Sequence, residues 1–113
     1  MVTAVARPAR LCRESEIRAI LRSTRGIRGQ HYEIRWRTAA SAPRLALIMS
    51  RRVGIAVVRN TLKRIAREYF RLHRSVLPNG DYIVRGVSGL TGTRETWRCD
   101  LERLFAKIPR KVA

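Results

Sequence analysis

The part of the chain that decides the fold lies at residues 44–74 and reads RLALIMSRRVGIAVVRNTLKRIAREYFRLHR. It opens with a continuous apolar run at residues 45–49, which is typical of a strand buried on both faces. A basic connection with a glycine follows at residues 50–54. From about residue 56 to 74 the apolar side chains recur at helical spacing. The stretch therefore predicts a buried strand followed by a long amphipathic helix.

Two elements are predicted ahead of this unit. A short amphipathic helix is expected at about residues 13–25, because apolar side chains recur there at helical spacing. Residues 31–37 alternate between apolar and polar side chains, which predicts a half-buried strand. We expect this strand to pair antiparallel with the one at residues 45–49. An extra short strand is considered near residues 25–30.

Two more elements are predicted after the long helix. A turn sequence at residues 78–81 precedes a short apolar strand at residues 82–84. A last helix is expected at about residues 93–108, where apolar positions share one face. Thr93 is a suitable N-cap for it, since its hydroxyl can accept from a free backbone N–H.

The order of these elements predicts the fold class. A strand, a helix and a strand between residues 45 and 85 suggest a βαβ crossover. We therefore expect an α+β two-layer sandwich, in which three helices pack on a small mixed sheet. A chain of 113 residues favours a single domain, here residues 1–113, with residues 1–9 as a flexible basic arm.

The charge of the chain points to a polyanionic partner. Its formal net charge is +17, from 25 Lys and Arg against 8 Asp and Glu. Self-repulsion of that size opposes folding, and nucleic acid is the commonest partner that relieves it. Arginine predominates, and its planar fork pairs with phosphate in a bidentate manner. The sequence contains no apolar run long enough to span a membrane and no secretory signal, so we expect a cytoplasmic protein.

The charges concentrate on the long helix and the connection before it. On a helical wheel of about 100° per residue, the apolar side chains cluster on one side. The basic side chains fall on the opposite side, and only Glu68 opposes them. Ordinary solvated helix faces mix both signs, because like charges four residues apart destabilise a helix. The candidate RNA-binding residues are Arg51, Arg52, Arg59, Asn60, Lys63, Arg64, Arg67 and Arg71.

Residues 44–71 resemble the signature of the bacterial ribonuclease P protein component. In that signature a strand ends in Ser and is followed by two basic residues and Val-Gly. An Ala-Val-x-Arg-Asn-Arg-x-Lys-Arg-x-x-Arg-Glu-x-Phe-Arg helix comes next. The similarity extends over roughly residues 8–108. It also implies a left-handed βαβ crossover, where chain logic alone would favour a right-handed one.

The resemblance implies a subunit of a ribonucleoprotein endonuclease that removes the 5′ leader of precursor tRNA. The expected partners are ribonuclease P RNA and precursor tRNA, with no membrane. The RNA subunit is expected to hold the catalytic centre and its Mg²⁺ ions. We therefore expect this chain to contribute no catalytic residue and to bind no cofactor or metal by itself.

Two of the chain's departures from the family pattern concern contacts with RNA. Thr61 stands where the family commonly has the third residue of Arg-Asn-Arg, which predicts the loss of one phosphate contact. The first helix has aliphatic residues where the family often has Phe, and these cannot stack on bases. The candidate contacts to the leader are Ile17, Leu21, Tyr32, Arg35 and Arg37. Tyr32 is equally compatible with a position in the core.

Three other functions fit the sequence less well. A small ribosomal protein would share the charge but not the signature at residues 44–71. A membrane-surface protein would need an exposed apolar helix face, whereas this face is needed for the core. A self-sufficient nuclease would need clustered carboxylates or paired histidines, but the acids are scattered and His31 and His73 lack partners. His73 lies on the apolar face and is expected to pack there.

Overall fold

The computed structural model describes residues 14–23, 26–40, 42–87, 89 and 91–108. Within these residues the helices and strands follow one another in the order α1 Glu14–Ser23, β1 Ile27–Arg28, β2 Tyr32–Thr38, β3 Arg44–Ile48, α2 Ala56–His73, β4 Gly80–Gly86 and α3 Arg94–Ala106. A short 3-10 helix, Arg74–Val76, ends α2. Every predicted helix and strand is present, including the short strand β1. Thr24 and the basic arm at residues 1–9 lie outside the described residues.

The four strands of the described residues form one mixed sheet in the order β1-β2-β4-β3. β2 pairs antiparallel with β1 and with β4, whereas β3 pairs parallel with β4. The expected antiparallel pair of β2 with β3 is wrong, because β4 lies between them. The expected βαβ crossover is confirmed, since α2 joins the parallel strands β3 and β4. Its left-handed sense stays a prediction.

The main core lies between the sheet and the two long helices. Tyr32 and Ile34 of β2 and Tyr82 and Val84 of β4 point to this side and have no exposed surface. α2 contributes Leu62, Ala66, Tyr69 and Phe70, and α3 contributes Trp97, Leu101, Leu104 and Phe105. The tyrosine hydroxyl of β2 donates to the Leu62 carbonyl of α2 at 2.9 Å. The sheet and these two helices thus form a pair of layers as predicted, but α1 adds a helix on the opposite face that the two-layer prediction did not include.

Helix α1 covers the opposite face of the sheet. A second, smaller apolar cluster joins Ile20 of α1 to Ala46 of β3 and Ile83 of β4. Ile17 and Leu21 pack at the edge of this cluster. The alternate residues of the central strand therefore serve two cores, because Ile83 points to α1 while its neighbours point to α2 and α3.

A buried carboxylate fastens α3 to the turn between β1 and β2. Asp100 is 1% exposed and accepts hydrogen bonds from the backbone N–H groups of residues 30, 31 and 32 at 3.3, 2.9 and 3.1 Å. Arg103 donates to the same carboxylate at 2.7 Å. Gly29 is required here, because a Cβ at this position would lie 2.5 Å from a carboxylate oxygen. Although burial by itself raises the pKa of Asp100, the four hydrogen bonds outweigh it and lower that pKa.

Replacement of Asp100 by Asn is expected to lower the free energy of unfolding by about 1–3 kcal/mol near neutral pH, because an amide N–H₂ would face buried donors. A carboxyl whose pKa is lower in the folded state stabilises the fold above its unfolded pKa of about 4 and loses that effect as the pH falls below it. The deficit of Asp100→Asn should therefore shrink in acid. Denaturant titrations near neutral pH and near pH 3 measure it, with the exposed Glu102→Gln as control. An equal deficit at both pH values would contradict this account.

Candidate nucleic-acid interface

Basic side chains line the outer side of α2 and the connection before it. We call this surface the cationic face. It consists of Arg51, Arg52, Asn60, Lys63, Arg64, Arg67 and Arg71, all exposed except Lys63, which is half-buried. The sequence predicted each of these residues as RNA-binding. Asn60, Lys63, Arg64, Arg67 and Arg71 lie on α2 away from its buried residues, whereas Arg51 and Arg52 belong to the connection, where Arg52 borders Glu33 and Arg85 of the sheet.

The fold fixes the direction in which the cationic face points. The buried side of α2 packs on the sheet through Leu62, Ala66 and Phe70. At about 100° per residue, Arg64, Arg67 and Arg71 lie on the other side of the helix axis and face outward. His73 packs as expected, with its ring stacked on Tyr69 at a centroid distance of 3.9 Å. Burial raises the pKa of Tyr32, which therefore remains a neutral donor to the backbone of α2.

The cationic face is almost free of compensating charge. Glu68 is the acidic residue of α2, and it accepts from Arg71 at 2.5 Å. Within the described part of the chain, Arg64 and Arg67 have neither an acidic partner nor a side-chain hydrogen bond. Exposed guanidinium groups without partners are suited to bidentate bonds with phosphate oxygens.

Two basic side chains beside this face are used inside the protein. Arg59 is half-buried and donates from Nε to the Gly54 carbonyl at 3.1 Å, which holds the connection against the start of α2. Arg74 donates to the Pro43 carbonyl at 3.0 Å. The Nε–H of Arg59 is thus committed to the backbone, which leaves its Nη groups for a contact with RNA.

The candidate leader contacts differ in their exposure. Tyr32 has no exposed surface. A buried ring cannot reach RNA, so the expected contact of Tyr32 with the leader is wrong, and the alternation of β2 reflects the core. Ile17 and Leu21 are half-buried on the sheet side of α1. Only part of each side chain could therefore contact a ligand beside α1.

The two remaining candidates lie on the sheet face that carries α1. Arg35 is half-buried and donates to the Leu21 carbonyl of α1 at 2.6 Å. Arg37 donates from Nε to Asp81 at 3.2 Å, and 36% of its side chain is exposed. Further basic residues, Arg28, Arg44 and Arg85, reach the same face from β1, β3 and β4. Sequence reasoning missed these three, since only the register of the sheet aligns them with β2.

A small polar pocket ends this face near the connection before α2. It has a volume of about 250 Å³ and is lined by residues that include Arg28, Glu33, Arg52 and Arg85. Arg85 forms a hydrogen-bonded ion pair with Glu33 across β4 and β2. The pocket therefore joins the basic residues of the sheet to those of the connection.

Comparison with known proteins identifies the family. The ribonuclease P family profile matches residues 5–109. The ribonuclease P protein component of Bordetella avium is 37% identical over 111 residues, covering 90% of this chain and 92% of the relative. That of Azoarcus sp. is 36% identical over 103 residues, covering 88% and 86%. The chain belongs to the ribonuclease P protein family.

Solved structures of the ribonuclease P protein have the same fold. Two structures of the protein from Thermotoga maritima, both 27% identical to this chain, superpose with TM-scores of 0.77 and 0.73. The matches cover 88% of this chain in both cases, and 100% and 97% of the Thermotoga chains. The protein from Staphylococcus aureus superposes with a TM-score of 0.80 at 24% identity, covering 88% and 96%. The chain is thus the protein subunit of an RNA-processing endonuclease. Among the described residues, no helix is both long and apolar enough to cross a membrane.

Removal of charge from the cationic face should weaken assembly of the ribonuclease P complex without unfolding the protein. Arg64→Ala or Arg67→Ala is expected to cost about 1–3 kcal/mol of binding to the RNA subunit, because each removes a charge-assisted contact. Leu62→Ala, on the buried side of the same helix, should instead cost about 2–5 kcal/mol of stability. Filter binding and thermal denaturation of all three variants measure both effects. The reverse pattern would mean that the two faces of α2 are wrongly assigned.

Position 61 tests the edge of the cationic face. Thr61 is half-buried, and its hydroxyl donates to the Val57 carbonyl at 2.8 Å. Thr61→Arg should fold normally and add about one phosphate contact, so that the slope of log affinity against log salt steepens by roughly 0.7–0.9. Thr61→Gln is the uncharged control and should leave the slope unchanged. If the slopes of the two variants agree, residue 61 does not face RNA in the complex.

Proposed function

We propose that the protein binds ribonuclease P RNA through the cationic face and the 5′ leader of precursor tRNA through the sheet face that carries α1. The bound complex removes the leader and so produces the mature 5′ end of tRNA. The observation that carries this proposal is the cationic face itself, above all Arg64 and Arg67, which are exposed and have no acidic partner among the described residues. The cytoplasmic location expected from the sequence stays a prediction.

The two surfaces suit two kinds of RNA. The cationic face is a convex helix surface, and it offers guanidinium groups to the phosphates of a large folded RNA. On the sheet face, Arg35 and Arg37 of β2 lie on the side that carries α1, where Arg35 donates to the Leu21 carbonyl. Proteins that bind single-stranded nucleic acid place basic side chains along its backbone. We assign Arg35 and Arg37 to this second surface, with Ile17 and Leu21 at its edge.

The chemistry of leader removal is assigned to the RNA subunit. Within the described residues, His, Cys, Asp and Glu side chains form no group of three that could hold a metal ion. The buried acids Asp81 and Asp100 are engaged by arginines or backbone N–H groups, so neither is free to act as a general base. We propose that the Mg²⁺ ions of the reaction are held by the RNA and that this chain supplies charge and position.

Reconstitution with ribonuclease P RNA and a precursor tRNA tests the function directly. The protein alone should not cleave the precursor, whereas the complex should cleave it at a lower magnesium concentration than the RNA alone requires, because the arginines screen phosphate repulsion. The control is the Arg64→Ala, Arg67→Ala double variant, which should support cleavage only at a higher protein concentration. Cleavage at the mature 5′ end by RNA-free protein would contradict the proposal, as would a wild-type protein that neither binds the RNA nor lowers its magnesium requirement.

A further inference from the structure

Three charged residues form one row across the sheet face that carries α1. The register pairs Asp81 of β4 with Arg37 of β2 on one side and with Arg44 of β3 on the other. All three lie on the side of Ile83 and Ala46, which pack against α1. Residues directly opposite one another on adjacent strands have side chains close enough to interact. The sheet register therefore places a single acid between two arginines.

The carboxylate of Asp81 uses one oxygen for each arginine. Its side chain is 1% exposed, and its Oδ2 accepts from Nε of Arg37 at 3.2 Å while its Oδ1 accepts from Nε of Arg44 at 2.9 Å. A buried carboxylate needs such partners, since an unpaired charge is costly away from water. The two bonds fix the planes of both guanidinium groups. Neither arginine can turn freely without leaving a buried charge unpaired.

The same row reaches α1 through a second acid. Nη2 of Arg44 lies 3.4 Å from Oε2 of Glu16, which belongs to the first turn of α1. Arg44 thus bridges Asp81 in the sheet and Glu16 in the helix. The neighbouring acid of the first turn, Glu14, pairs instead with Arg18 inside α1 at 2.6 Å. Of these two acids, only Glu16 connects α1 to the sheet.

The arrangement leaves one side of Arg37 open. Within the described residues its hydrogen bond to Asp81 uses Nε, and 36% of its side chain is exposed. The two Nη groups of a guanidinium held at Nε can still donate to an anion. A guanidinium that is already oriented loses less entropy when it binds phosphate than one on a free side chain.

We propose that Asp81 is a positioning residue for the precursor-tRNA leader: it orients Arg37 toward a phosphate of the leader and, through Arg44 and Glu16, holds α1 beside that site. The inference rests on the proposed function, because it concerns the surface assigned there to the leader. Asp81 itself touches no RNA. Asp81 acts by orienting the two arginines. Net charge does not explain the effect, because Asp81 and Glu16 together balance the charges of Arg37 and Arg44.

Three variants separate this role from a role in stability. Asp81→Asn keeps the shape of the side chain but removes the charge that pairs with both arginines. Arg44→Lys keeps the positive charge but cannot bridge two acids with a planar fork. Glu16→Gln weakens only the link to α1, and its matched control is Glu14→Gln on the same turn. Should Asp81→Asn fail to fold, the Arg44→Lys and Glu16→Gln variants decide the question.

The assay uses the reconstituted complex and two precursor tRNAs, one with a leader of several nucleotides and one with a single-nucleotide leader. For the long leader each of the three variants should raise KM by about threefold to tenfold, which corresponds to a partly lost contact, with kcat changed by less than about twofold. For the single-nucleotide leader KM should stay at the wild-type value. Glu14→Gln should match wild type on both substrates.

Binding of each variant to the RNA subunit alone shows whether the phosphate that Arg37 contacts belongs to the leader or to that RNA. Unchanged affinity for that RNA, together with a raised KM for the long leader, supports the proposal. An equal change of KM for both substrates, a loss of affinity for the RNA subunit, or no change with any variant would overturn it. Failure of the proposed function itself would be seen separately, as a wild-type protein that does not bind the RNA subunit.

Discussion

The central position of β4 in the sheet is the constraint on which the rest of the structure depends. β4 pairs on both edges, antiparallel with β2 and parallel with β3. A parallel neighbour cannot be reached by a tight turn, so α2 must cross over one face of the sheet. Because residues 80–84 are buried, that face and its opposite both need cover. The long helices cover one of them, and α1 covers the other.

This constraint separates the two surfaces that we assign to RNA. α2 buries Leu62 and Ala66 against the sheet and therefore turns its arginines away from it. On the opposite face α1 packs on β3 and β4, through Ile20, Ala46 and Ile83. The charged residues beside it stay accessible in part. Asp81 belongs to the central strand, and its carboxylate therefore orients arginines on both neighbouring strands.

Much of this organisation could be predicted from local sequence patterns. Helical spacing located α1, α2 and α3, and Thr93 caps α3 as expected. The cationic face followed from the same spacing, because a helix that must bury one side exposes the other. The family resemblance added the function, which charge and spacing alone leave open between several RNA-binding proteins.

Features that depend on pairing between distant strands could not be predicted in this way. The position of β4 between β2 and β3 leaves no local trace, so proximity in sequence favoured the wrong pair. The row of Arg37, Asp81 and Arg44 becomes visible only with the register. The role of Asp100 left a weak signal, since it lies three and four residues from Trp97 and Leu104 on the apolar side of α3. An acid at such a position indicates a buried carboxylate with partners.

The central claim is that the outer side of α2 faces the RNA subunit in the complex. Photocross-linking tests it most directly, with benzophenone placed singly at position 64, at position 67 and, on the exposed side of α3, at position 98. Cross-links to the RNA subunit are expected from the two α2 positions and none from the α3 position, although Arg98 is also an exposed arginine. Cross-links from position 98 alone would contradict it.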